Sequence, residues 1–115
     1  MKRPFQVRSA QRDAQTDQER IGAVVQAINV AVASAQRERD ALRVRVSEAR
    51  DLASFAIGTG DDEYLTREAQ DTSRIKEYER QMMIGEKRIG ELDRQIESLT
   101  ELKDLSSRRF SEPTK

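Results

Sequence analysis

The chain has 115 residues, of which 36% are apolar and 37% charged, and it contains no cysteine, histidine or tryptophan. Without thiols or imidazoles there is no disulfide, no thiolate nucleophile, no histidine base and little basis for a zinc site. The 21 basic and 21 acidic side chains cancel, which leaves no global field to draw nucleic acid or an acidic membrane.

An apolar share this low is too small for a deep globular core. It suits an elongated helical fold, which buries only a narrow stripe. Proline and glycine are scarce, with two and five copies, so helix is favoured over disorder. Met1-Lys2-Arg3-Pro4-Phe5 carries basic residues with no apolar core behind them, so no signal peptide is expected. The uncharged run at 21–36 is too short and too polar to span a bilayer. A cytoplasmic location is the expectation, and the lack of cysteine suits a reducing compartment.

The first predicted element is a helix over about 5–57. From Ile21 onward its seam reads Ile21, Val25, Ile28, Val32, Ala35, Arg39, Leu42, Val46, Ala49, Ala53 and Ala56. Steps of four and three alternate, the 3.5-residue period of a left-handed coiled coil. Upstream, Gln11 and Gln18 weaken the seam, so that end is expected to fray. Arg39 stands within the seam and must either find room or carry its charge out along its own stem.

Beside the seam, 21–36 adds Val24, Ala27, Val30 and Ala31. Apolar and small residues then cover most of the helix circumference, and a helix buried by one neighbour has no use for Val30 opposite its seam. These four residues are read as a self-association face. The economical second neighbour is another copy of the chain, with a dimer favoured, although a foreign helix would also satisfy the pattern.

The next element is a turn at about 58–61. Gly58 and Gly60 accept the backbone angles that end a helix, and Asp61 or Asp62 is a candidate cap for the next one. These four residues are read as the hinge. The Asp61-Asp62-Glu63 cluster offers too few regularly spaced oxygens for a calcium loop and reads as an acidic first helical turn. Gly58-Thr59-Gly60 lacks a full phosphate-binding pattern and follows a helix, not a strand.

The second helix is predicted over about 62–109, followed by a loose tail at 110–115. Its seam reads Ile75, Tyr78, Met82, Gly85, Ile89, Leu92, Ile96, Leu99 and Lys103, with Leu102 and Leu105 to the side. Leu65, Ala69 and Thr72 are out of phase with that stripe. Residues 1–57 carry 10 basic and 7 acidic groups, and 58–115 carry 11 and 14, so the arms are of opposite sign.

The fold class expected is all-α: an antiparallel coiled-coil hairpin, assembled into a dimeric helical bundle. Each arm would be ~75 Å long. One register sets Val46 opposite Tyr78, Leu42 opposite Met82, and Arg39 opposite Gly85.

No constellation of catalytic, metal-binding or cofactor-binding residues emerges, so a non-catalytic structural or interaction module is expected. It could act as a spacer, an adaptor or a chaperone-like clamp. Two alternatives stand beside it. An accessory stalk of an export or motor complex rests on analogy of architecture alone. Nucleic-acid binding would use the arginines around Arg37, Arg39, Arg43, Arg45 and Arg50. Interleaved Glu38, Asp40 and Glu48, and an aromatic share of only 4%, weigh against it.

Overall fold

The computed structural model describes residues 9–58 and 65–111, without the side chains of 58, 65–71 and 111. Two helices account for nearly all of them: α1, Ala10–Gly58, and α2, Leu65–Ser111. They pack against each other as a helical hairpin, and there is no strand among the described residues.

Ser9 fixes the start of α1. Its Oγ accepts from the Arg12 amide at 3.0 Å and its carbonyl accepts from the Asp13 amide at 3.1 Å, so Ser9 is the N-cap. Asp13 adds a negative charge to the first turn, where the helix dipole favours it. The helix therefore begins later than the expected position 5, and residues 5–8 lie outside the described residues. α1 runs through Gly58. The other hinge residues, Gly60, Asp61 and Asp62, lie outside the described residues, as does Glu63. α2 continues two residues beyond its expected end, and Arg108 and Arg109 occupy its last turn, where cations suit the dipole.

Contacts divide the chain into two units, each containing a segment of both helices: 34–96, and 1–33 with 97–115. The first holds the buried apolar residues Ala35, Val46, Ala49, Ala53 and Leu92. Leu92 is only 1% exposed, and burying a leucine fully is worth about 1.5–3 kcal/mol. Every other predicted seam position in this unit, from Arg39 and Leu42 to Ile75, Tyr78, Met82 and Ile89, is buried or half-buried. Leu52, Phe55, Met83 and Ile84, off the stripe, are exposed.

The register in this unit differs from the expected one by a heptad. Val46 meets Gly85, not Tyr78: a Cβ built on Gly85 would lie 2.6 Å from Val46 Cγ2. Glu38 pairs with Arg88, Arg39 with Asp93 and Arg50 with Glu86, in keeping with that offset. A shift of seven residues keeps stripe against stripe, so the apolar period alone does not choose between the two registers. What favours the observed one is shape and charge. A branched valine fills the space over glycine, and small Ala49 and Ala53 come opposite large Met82 and Tyr78. Arg39 gains an acidic neighbour where Gly85 was expected. Its side chain is one-fifth exposed and donates from Nη1 to Asp93 Oδ1 at 3.2 Å and from Nε to Asp40 Oδ1 at 3.4 Å. The stem lies in the seam and the guanidinium sits at its rim.

The second unit is less well buried. Ile21, Val25, Ile28 and Val32 of α1, and Leu99 and Lys103 of α2, are only half-buried. Gln11, Ala14 and Gln18 are exposed, although the helix persists through them. Ser106, on the seam, is buried, and its Oγ has no hydrogen-bond partner in the protein.

Candidate docking surface

Acidic groups are the first place to look for chemistry. Among the described residues, no three carboxylates gather in a way that could hold a metal ion. Several are instead engaged by arginine. Arg88 donates from Nε and Nη2 to the two oxygens of Glu38 at 2.9 and 3.2 Å, and from Nη1 to Glu91 at 3.1 Å. The Arg88 hydrogen bonds hold the Glu38 carboxyl below its ordinary value. Glu38 and Glu91 in turn raise the Arg88 guanidinium above its usual range. Arg80, with help from Gln81, likewise lowers Glu77. Arg80 and Glu77 pair at 2.9 Å, and Glu91 pairs with Arg88 at 3.1 Å. These pairs trim the helix surface, where solvent and salt screen them.

A groove of about 250 Å³ opens beside the Val46–Gly85 contact, lined by Leu42, Arg45, Val46, Gln81, Ile84 and Gly85. It is mainly apolar, with Arg45 and Gln81 the polar side chains among its lining, few for a site that orients a small ligand.

The strongest surface feature lies in the unit formed by 1–33 and 97–115. Of the four residues read as a self-association face, Val24 is 50% and Val30 57% exposed, Ala27 is exposed, and Ala31 is half-buried. α2 adds Leu102 and Leu105, 53% and 48% exposed.

Heptad lettering places these residues. With the seam at a and d, Val24 and Ala31 occupy g and Ala27 occupies c. On α2, Leu102 occupies g and Leu105 occupies c. In an antiparallel pair, g positions line one edge of the interface from both helices, and e positions line the other. The ion pairs in 34–96 follow this rule: Glu38 and Arg88 are both g, and Arg50 and Glu86 are both e. Val24, Ala27, Ala31, Leu102 and Leu105 therefore share one side of the hairpin. The opposite edge carries Gly22, Asn29, Thr100 and Ser107 at its e positions and is polar. The sequence placed Leu102 and Leu105 beside the seam without joining them to Val24. The pairing of g with g is the signal that joins them.

No helix among the described residues is long and apolar enough to cross a membrane. Compared with protein-family models, curated proteins and solved structures, the chain matches none.

Proposed function

We propose that this chain is a non-catalytic helix–helix interaction module that pairs with a second copy of itself, serving as a spacer, adaptor or chaperone-like clamp. The observation that carries the reading is the apolar side of the 1–33 and 97–115 unit. Val24, Leu102 and Leu105 remain about half exposed there, Val30 is exposed on the outer face of α1, and no charge interrupts 21–36. Scattered single apolar residues are ordinary on a surface, but a contiguous apolar side points to a partner.

Magnitudes set the scale of the test. Covering the exposed half of four such side chains on each of two copies contributes about 1 kcal/mol apiece. Association costs on the order of 4–15 kcal/mol in lost freedom. The gain and the cost are comparable, so affinity should be modest and association should depend visibly on concentration.

Sedimentation over a concentration series is the direct measurement, with a shift from one copy to two expected. Ala27→Glu with Val30→Glu should weaken association by on the order of tenfold or more, because each carboxylate would be buried without a counter-ion. Helical circular dichroism should be retained, since neither residue lies on the seam. A chain that stays monomeric at every concentration overturns the proposal.

A further inference from the structure

We infer that the 34–96 hairpin has two registers one heptad apart, and that Gly85 is the catch that holds it in the observed one. The inference lies within this unit and does not depend on self-association. Sliding α2 along α1 by one heptad, ~10 Å, keeps stripe against stripe. It sets Leu42 against Met82, Val46 against Tyr78 and Ala49 against Ile75, all of them seam residues that are buried or half-buried now.

The charged edge repeats with the same period. α2 carries Glu79, Glu86 and Asp93 at successive e positions, and all three are exposed. Arg39 pairs with Asp93 and Arg50 with Glu86, each at 3.2 Å. One heptad along, Arg39 comes level with Glu86 and Arg50 with Glu79, so each arginine keeps a carboxylate. Glu79 is the rung that the observed register leaves over, because it stands level with Ile57, which is exposed. Glu38 alone loses by the slide, exchanging Arg88 for Gln81.

Shape separates the two registers. In the observed one, Val46 Cγ2 fills the space over Gly85, 2.6 Å from where a Cβ would stand. The slipped register gives up that fit and takes Tyr78 and Ile75 away from Ala53 and Ala56, which makes it the higher of the two. It also puts Arg39 over Gly85. A long arginine stem can move aside for an added methyl group, whereas a β-branched valine has few rotamers with which to do so. A Cβ at position 85 therefore raises the observed register and spares the slipped one. Any contact that favours the slipped register draws α2 along α1 by the same step.

Disulfide closure in the full chain reads the register, since there is no native cysteine. In the parent, Ala49→Cys with Met82→Cys should close within the chain faster than Ala49→Cys with Ile75→Cys. In the Gly85→Ala background the order should reverse, with the preference moving by about tenfold or more, the scale of an overpacking penalty. Adding Val46→Ala to Gly85→Ala removes the clash and should restore the parent order. A Gly85→Ala chain that still closes the 49/82 pair faster overturns the inference, because the helices then absorb the methyl group without sliding. Loss of helical circular dichroism in Gly85→Ala overturns it as well, because no second register then receives the chain. A reversal that Val46→Ala does not undo overturns the role given to the glycine.

Discussion

Three glycines lie inside the helices with described surroundings, and they should respond differently to one added methyl group. A Cβ on Gly22 would meet nothing within 4 Å, and on Gly90 only the end of Arg94 at 3.7 Å. Gly22→Ala and Gly90→Ala should each stabilise the fold by up to about 1 kcal/mol, the propensity gap between the two residues. At Gly85 the methyl would sit 2.6 Å from Val46 Cγ2, and a β-branched side chain has few rotamers with which to yield. Overpacking costs about 1–3 kcal/mol, enough to cancel the propensity gain and reverse its sign. Urea unfolding followed by circular dichroism would rank the three variants, with Gly85→Ala below the parent. The other residue-level test concerns acid. Glu38 and Glu77 are held below the ordinary carboxyl value of 4.5, chiefly by hydrogen bonds from Arg88 and Arg80. A depressed carboxyl contributes stability that is present above that value and lost as pH falls through the lower folded one. Glu38→Gln should therefore flatten the acid side of a Tm-versus-pH curve below about pH 5, and added salt should shrink the difference.

At the scale of the helices, the stripe was legible and the offset was not. Every predicted seam position from Ile21 to Ala56, and from Ile75 to Lys103, is buried or half-buried. A period of 3.5 residues leaves little freedom in which face turns inward. It says nothing about which heptad meets which, because each whole-heptad shift restores the same facing. That choice falls to shape and charge at particular levels: Val46 over Gly85, Glu38 beside Arg88. Ile75 comes level with Ala56, the last half-buried seam residue of α1. Cysteines at 46 and 85 test the offset. Val46→Cys with Gly85→Cys should close an intrachain disulfide on oxidation, since their Cβ atoms would be close. Val46→Cys with Tyr78→Cys should not, and a gel-mobility or mass assay distinguishes them. Preferential closure of the 46/78 pair would mean that the helices sit a heptad away from where they are placed here.

For the molecule as a whole, the sequence says less about function than about fold, because a surface that binds helices needs no rare residue type. The run at 21–36 was visible as an uncharged stretch, but its continuation onto Leu102 and Leu105 required knowing which edge of α2 lies beside α1. The seam repeats, so the chain could dock its halves at several positions seven residues apart, all of them hiding the same stripe. A bare glycine under a forked valine makes one stop deeper than its neighbours. Were 34–96 to settle at the next stop, Val46 would face the ring of Tyr78 and Glu38 would lose Arg88. A missing methyl group in the middle of one helix thus decides which heptad of the other it faces.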